Sequence, residues 1–352
     1  MLFTTHADLG EVPAERSWGA LRALRADPPG LASRTDRRPV FTAALEQAEQ
    51  LFRAAAAVGV ATQPLLAFYG LSQAGRAITA ALAEDKWILS AHGIGSDPDV
   101  GATSDQLANL RVTPRAKGSF GRVREVLGSS SLSAGTRIGE LWPLLAETAP
   151  HPLHGSGEDR SLTIGVDVAG WGSGIFTVQV QGLPDYFADV GAEHLAMPSG
   201  LGANYTAQAE ALDDYLSRYP TLTDRLAITA AGQPIGLQPQ GDGTCSVNFR
   251  WPDEVVARYR DIDAFYSEVA VQTRARQRVY PSLDGGNRPV HPLVVWWALL
   301  FRLSMLARYE PEGWAAITEV NSSADAVPVE HLLGCALSSV PELIHGALTL
   351  TG

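Results

Sequence analysis

Two segments of this 352-residue chain are apolar on nearly every helical face, and they constrain the fold more than any other feature. The first runs from Pro64 to Glu84, after a predicted Thr62 cap, and the second runs from Pro292 to Tyr309. A helix that is apolar all round is a buried one. Because each segment can supply the apolar surface that the other needs, we expect the two helices to pack together in one core.

Other segments of both ends are also predicted to be helical. Val40 to Val58 places its apolar side chains at helical spacing and its polar ones elsewhere, as in an amphipathic helix. Similar patterns predict helices at Phe120–Leu127, Ile138–Leu145, Pro252–Val279 and Val329–Leu348.

The middle of the chain has a different pattern, which favours strands. Ser161–Val168, Ile175–Val180 and Cys245–Phe249 are short runs, the first two rich in β-branched residues. A loop with Gly170, Gly172 and Gly174 joins the first two runs and is read as a hairpin turn. A further strand near Leu110 is considered as a partner of this sheet, and Tyr205–Tyr219 is predicted to be helical.

These patterns together predict an α+β fold. We expect a mainly helical bundle formed by the N- and C-terminal helices, with a small antiparallel sheet from the middle of the chain. The expected regions are 1–150, mainly helical, 151–251, β-rich, and 252–352, helical and packed on the first region, all within one structural unit.

Charge and hydropathy exclude several classes of partner. A net charge of −11 opposes non-specific nucleic-acid binding, which depends on neutralising phosphates with Lys and Arg. No stretch approaches the roughly 18 to 20 apolar residues that cross a bilayer, so no membrane partner is expected. Residues 1–20 lack the basic start and apolar run of a secretory signal, which predicts a cytoplasmic location.

The chain offers no obvious metal or cofactor motif. Cys245 and Cys335 lie far apart and are interpreted as free, buried thiols. His151 and His154 lack a third ligand nearby, so no metal site is expected. We expect no cofactor.

Two groups of residues resemble a known family. The first is the segment from Pro64 to Ile78, with the aromatic pair Phe68-Tyr69, followed downstream by His92-Gly93. The second is Leu303 to Trp314, with Arg308-Tyr309, Pro311 and Trp314 in order, and Gly118-Ser119-Phe120 fits between the two. From about residue 15 to residue 348, the chain resembles the YaaC-like family. The resemblance implies no particular reaction. The first helix is also similar to the aromatic-rich helix of HEPN-type proteins, but their Arg-x4-6-His motif is missing.

Four residues are the main candidates for a binding site. Arg76 and Arg308 each emerge from a very apolar helix, and burying an unpaired guanidinium costs several kcal/mol. We therefore expect Arg76, His92, Arg308 and Tyr309 to converge in one cleft that binds a small anionic ligand or a protein partner. The alternative is that each Arg satisfies carbonyls at its own helix end and the two never meet.

Weaker candidates are Ser72 and Trp314. Gly70-Leu71-Ser72-Gln73-Ala74 is close to a G-x-S-x-G nucleophile elbow, which would make the protein a serine hydrolase. The residues before Ser72 already show helical spacing, however, so a structural serine is the competing interpretation. Trp314 is expected to lie in a packed corner after Pro311.

The local concentration of arginines at Arg258, Arg260, Arg274, Arg276, Arg278 and Arg288 is interpreted as a solvated, salt-bridged helix face. A nucleic-acid or nucleotide surface is the alternative there. For the protein as a whole, a HEPN-like ribonuclease or nucleotide-acting enzyme is the alternative to a binding protein.

Overall fold

The computed structural model describes residues 14–89, 91–96, 104–166, 176–187, 210–222, 237–251, 257–259, 261–274 and 276–349. Its helices are α1 Ala14–Ala26, α2 Arg38–Ala56, α3 Gln63–Leu82, α4 Ser119–Val126, α5 Ile138–Leu141, α6 Ile262–Val269, α7 Pro292–Tyr309, α8 Pro311–Thr318 and α9 Ala326–Thr349. Its strands are β1 Ile94–Gly95, β2 Arg111–Pro114, β3 Thr136–Arg137, β4 Leu162–Val166, β5 Phe176–Pro184, β6 Gln238–Pro239, β7 Thr244–Trp251, β8 Val271–Thr273 and β9 Arg276–Val279. Residues 210–217 are also helical.

The chain forms two compact units. The first draws on Met1–Gly157, Thr273–Ala275 and His291–Gly352, and the second on Glu158–Gln272 and Arg276–Val290. From the sequence we expected region boundaries after residues 150 and 251. The second unit continues beyond residue 251 because β9 is one of the strands of its sheet.

The core of the first unit is built on α3 and α7. Phe68 on α3 lies against two rings of α7, with ring centroids 6.5 Å from Trp297 and 5.5 Å from Phe301. Gly75, two turns further along α3, also faces the indole of Trp297. The predicted mutual burial of the two most apolar helices is therefore what the structure shows, and the α+β class is confirmed.

A buried arginine caps the C-terminal end of α3. Arg37 is 3% exposed and donates hydrogen bonds to the carbonyl oxygens of Ala80, Ala83 and Glu84. The last carbonyls of a helix have no partner within the helix, so they need an outside donor when they are buried. The predicted Thr62 cap at the other end is wrong in detail. Thr62 occupies the N-cap position, but its side chain accepts no capping hydrogen bond.

The first unit also contains a small sheet with strand order β1-β2-β3, all antiparallel. The strand near Leu110 belongs here, as β2, and the suggestion that it joins the sheet of the middle region is wrong. Its backbone hydrogen bonds go to β1 and β3, with Val112 opposite Thr136.

The second unit is centred on an antiparallel sheet with strand order β6-β7-β5-β4-β9-β8. Val178 and Val180 on β5 are fully buried, while Gln179 between them is not, as the two-residue period of a strand requires. Val180 pairs with Val247 on β7. The predicted strands of the middle region are confirmed, while Gly170–Gly174 and Tyr205–Ala209 lie outside the described residues.

The long helix predicted over Pro252–Val279 is wrong. Within the described part of this segment, only α6 is helical, and β8 and β9 follow it. The arginine-rich stretch is therefore no helix face: Arg274 lies in a turn with φ +47, and Arg276 and Arg278 lie on β9. The β-branched residues Val271 and Thr273 favour the strand before this turn. Arg260 lies outside the described residues.

Among the described residues, α9 passes the length and composition test for a membrane-crossing helix. Its most apolar window is 61% buried inside the protein. Because the core helix of a globular unit passes the same test, this helix alone is weak evidence for a membrane span.

Candidate functional site

A cluster of hydrogen-bond donors lies where α3 and the end of α7 meet. The Arg308 guanidinium donates through Nη1 to the hydroxyl oxygen of Tyr69, at 3.1 Å. The ring of His92 lies 6.3 Å from the ring of Tyr69 and 5.6 Å from that of Phe68, measured between centroids. We call Arg308, Tyr69 and His92 the donor cluster. It joins both ends of the chain, because Arg308 and Tyr69 are 239 residues apart.

Tyr309 completes the surface around Arg308. It is 64% exposed, and the Arg308 Cζ atom lies 4.9 Å from its ring centroid. This cation–π contact holds the guanidinium against the aromatic face. Arg308 forms no ion pair with any carboxylate in the part of the chain that the structure describes. Its charge is therefore left for solvent or a ligand.

The loop carrying His92 is fixed by the start of α4. The Ser119 backbone N–H donates to the Ala91 carbonyl at 2.7 Å, and the Phe120 N–H donates to the His92 carbonyl at 2.9 Å. These are among the first N–H groups of α4, which have no partner inside the helix. The His92 backbone thus satisfies the helix start and is held by it.

Two glycines allow this close approach. Gly93 has φ +73 and Gly118 has φ +128, backbone conformations that residues other than glycine rarely adopt. A Cβ on Gly118 would overlap the backbone N of Gly93. The His92-Gly93 and Gly118-Ser119-Phe120 motifs, far apart in the sequence, therefore form one packed junction.

Arg76 has a separate set of contacts. Its Nη1 donates to the Leu89 carbonyl at 2.8 Å, and its side chain borders a shallow groove against α2, beside Val40 and Gln73. Seven residues separate it from Tyr69 on α3, which corresponds to about 10 Å along the helix axis. The structure brings Arg308 and His92 to Tyr69, places Tyr309 against Arg308, and gives Arg76 a carbonyl partner of its own. The cleft shared by both arginines stays a prediction.

The weaker candidates lie in the core. Ser72 is buried in the middle of α3, with helix on both sides, whereas a nucleophile elbow needs a strand before the serine. Trp314 on α8 is 2% exposed, as expected for a packed corner. The sequence had not marked Tyr69 as a candidate, although the aromatic pair Phe68-Tyr69 carried part of the family resemblance.

The fold and the donor cluster together define an α+β protein with an exposed, arginine-containing surface site. The family model described as YaaC-like Protein matches residues 20–348. The chain belongs to the YaaC-like family, as the residues around Phe68-Tyr69 and Arg308-Tyr309 indicated. No curated protein and no solved structure shows a significant match to it.

Proposed function

We propose that this protein binds a small anionic ligand, one with a phosphate or carboxylate group, at the donor cluster. One observation carries the proposal: Arg308 is held by the hydroxyl of Tyr69, and no described carboxylate neutralises it. A guanidinium paired with Asp or Glu has little to offer a ligand, because its charge is already balanced. The charge of Arg308, in contrast, is not balanced by any carboxylate among the described residues.

The neighbours of Arg308 add donors to the site. The Tyr69 oxygen accepts the hydrogen bond from Arg308, so the hydroxyl proton of Tyr69 is not used in that bond and can be donated to a ligand. His92 is exposed, its ring centroid lies 6.3 Å from that of Tyr69, and the ring carries at least one N–H. Donors from three separate parts of the chain thus converge on one surface region, which is the arrangement that anion recognition requires.

The guanidinium is also held in a fixed orientation. Its Nη1 donates to the hydroxyl of Tyr69, and its Cζ lies over the Tyr309 ring, 4.9 Å from the centroid. Arginine donates through a rigid fork that matches the two oxygens of a phosphate or carboxylate. Because the orientation is already set, less conformational entropy is lost when an anion binds.

Arg76 extends this proposal to a longer ligand. It lies two helical turns beyond Tyr69 on α3, next to the groove beside Val40 and Gln73. A ligand with a second anionic group about 10 Å from the first would reach both arginines. We place this binding in the cytoplasm, which agrees with the two cysteines being free thiols.

Calorimetric titration of the full chain with inorganic phosphate, pyrophosphate and citrate tests the proposal. We expect at least one probe to bind, and Arg308→Gln to weaken it by about 10-fold or more, as expected for loss of a charged hydrogen bond. Arg111→Gln is the matched control, because Arg111 is also exposed and donates to a backbone carbonyl, that of Gly135. Equal affinity in wild type and Arg308→Gln, or no binding of any probe, would contradict the proposal.

The two enzyme alternatives have direct tests of their own. Labelling with a fluorophosphonate probe reports a reactive Ser72, and incubation with labelled RNA reports a HEPN-like ribonuclease. We expect both results to be negative. A Ser72-dependent label or RNA cleavage by the pure protein would favour the corresponding enzyme over a binding protein.

A further inference from the structure

An exposed aromatic ring lies beside the charged atoms of the donor cluster. Tyr309 is 64% exposed, and among the Phe, Tyr and Trp residues whose exposure the structure describes, only Tyr186 is exposed as well, at 44%. A tyrosine ring carries a large apolar area, and leaving it in solvent forgoes the stabilisation that burial would give. The chain thus keeps a large ring in solvent next to an arginine.

The position of Tyr309 is fixed by the corner between α7 and α8. Tyr309 is the last residue of α7, and Pro311 begins α8 after a single intervening residue, Glu310. The Glu310 N–H donates to the Leu306 carbonyl at 2.9 Å, and the Glu310 carbonyl accepts from the Trp314 N–H at 2.8 Å. Trp314 is buried and anchors the corner in the core. The Tyr309 ring is therefore presented to solvent from a hydrogen-bonded corner between two helices.

One face of the Tyr309 ring carries the Arg308 guanidinium, and the opposite face is open. The Arg308 Cζ atom lies 4.9 Å from the ring centroid. A ring covered on both faces could not remain 64% exposed, so most of the exposed area belongs to the other face and the ring edge. Tyr186 differs, because the ring of Phe187 lies 4.5 Å from its own. Tyr309 thus offers a free π face beside a guanidinium.

The carboxylates that follow Tyr309 in the chain leave the charge of Arg308 available. Glu310 faces a different cation, since its Oε1 atom lies 3.8 Å from Nη1 of the buried Arg302. Glu312 is exposed in the first turn of α8, where the helix macrodipole favours a negative charge. Arg308 therefore remains the cation next to the free ring face.

A ring with a free face binds flat aromatic groups by stacking. Stacking of a nucleobase on an aromatic side chain strengthens binding by about 5- to 150-fold. Stacked rings prefer centroid separations of about 4.5–7 Å, so a ligand ring on the free face would lie about 8–12 Å from the Arg308 Cζ atom. A ligand that uses both groups therefore needs a spacer between its aromatic ring and its anionic group.

Taking the proposed anion binding as given, we infer that the ligand is a nucleoside monophosphate, with its phosphate on Arg308 and its base on the free face of Tyr309. The ribose supplies the spacer that the geometry requires. Tyr69 and His92 add donors for the phosphate oxygens. A long nucleic acid fits less well, because a net charge of −11 repels a run of phosphates more strongly than a single one.

Calorimetric titration of the full chain with adenosine 5′-monophosphate (AMP), ribose 5-phosphate and adenosine separates the two parts of the ligand. We expect AMP to bind at least about 10-fold more tightly than ribose 5-phosphate, because only AMP has a base that can stack. Adenosine lacks the phosphate and should bind at least about 10-fold more weakly than AMP.

Variants of Tyr309 test where the base binds. Tyr309→Leu should lower the affinity for AMP to about that for ribose 5-phosphate, because leucine has no π face, whereas Tyr309→Phe should keep the advantage of AMP. The readout is the ratio of the two affinities, since a loss of support for Arg308 weakens both ligands alike. Tyr186→Leu, at the exposed tyrosine of the second unit, is the control and should change neither affinity. Thermal melts check that each variant is folded.

The outcomes distinguish this ligand from anion binding in general. Equal affinities of the wild type for AMP and ribose 5-phosphate would overturn the nucleotide ligand and leave the proposed anion binding in place. An AMP advantage that persists in Tyr309→Leu would also overturn it, because the base would then bind elsewhere. If no phosphate compound binds, the proposed function fails together with the inference.

Discussion

Gly75 on α3 packs directly against the indole ring of Trp297 on α7. A Cβ at position 75 would lie 2.5 Å from Cη2 and 2.6 Å from Cζ3 of that ring. The indole is rigid and buried, so it cannot yield as the end of a flexible side chain would. The contact between the two most apolar helices therefore depends on the absence of a side chain at one position.

Gly75→Ala is expected to destabilise the protein although alanine favours helices. Overpacking a well-packed core costs about 1–3 kcal/mol, which exceeds the gain in helix propensity of about 1 kcal/mol. Urea unfolding followed by circular dichroism measures the difference. Gly334→Ala on α9 is the control, because no atom lies within 4 Å of its Cβ position. We expect this control to be neutral or stabilising, and a stabilised Gly75→Ala variant would contradict the packing argument.

Gly118→Ala should damage the His92 loop specifically. The new Cβ would meet backbone atoms of Gly93 and Ala91, which have no freedom to rotate away, so we expect a loss of about 2–4 kcal/mol. Gly128→Ala separates collision from backbone strain: it has φ +63 but open space around its Cβ position, and should cost only about 1–2 kcal/mol. Equal losses in the two variants would show that the contact with Gly93 is unimportant.

Arg37→Met should destabilise the first unit by about 2–4 kcal/mol, because buried carbonyls at the end of α3 lose a charged donor while the methionine keeps most of the packing. Arg38→Met is the neighbouring control. Arg38 is exposed, and its side chain donates to the Ala26 carbonyl, so loss of that side chain should cost less than about 1 kcal/mol. Chemical denaturation of both variants measures the difference, and similar losses would argue against the capping role of Arg37.

His291 should make stability depend on pH between about 4 and 6.5. Its Nδ1 accepts the Leu293 N–H at the start of α7, and burial lowers the pKa of the imidazole to about 4. Within this range the unfolded chain binds the proton and the folded chain does not, so stability falls as the pH falls. His291 as a residue is only half-buried, so we expect a loss of about 1–3 kcal/mol rather than the full value of the shift.

Unfolding free energies at pH 8 and pH 4, for wild type and His291→Asn, isolate this contribution. Asparagine can accept the same capping hydrogen bond without titrating in this range. The variant should lose less stability than wild type on acidification. Because His345 also has a lowered pKa, some loss should persist in the variant. An identical pH dependence in the two proteins would rule out His291 as the source.

The parts of the fold that the sequence predicted well are those with one dominant physical cause. The burial of α3 and α7 followed from helices with no polar face. The error over Pro252–Val279 arose because an amphipathic helix and a short strand pair compete for the same residues. The outcome there depends on the left-handed turn at Arg274, which no spacing rule reveals.

The candidate site was predictable only in part. The arginines in two otherwise apolar helices pointed to Arg308 and Arg76, but the partner of each arginine depends on helix rotation, which sets Tyr69 opposite Arg308.

The first unit is discontinuous in the chain, and this affects how it is made. Helix α3 finishes roughly 200 residues before α7 begins, and ribosomes add about 5–20 residues per second. The apolar surface of α3 that Trp297 and Phe301 cover is therefore synthesised about 10–40 seconds before its partner helix α7. During that interval the α3 surface lacks the partner that covers it in the folded protein, a state that favours aggregation of nascent chains.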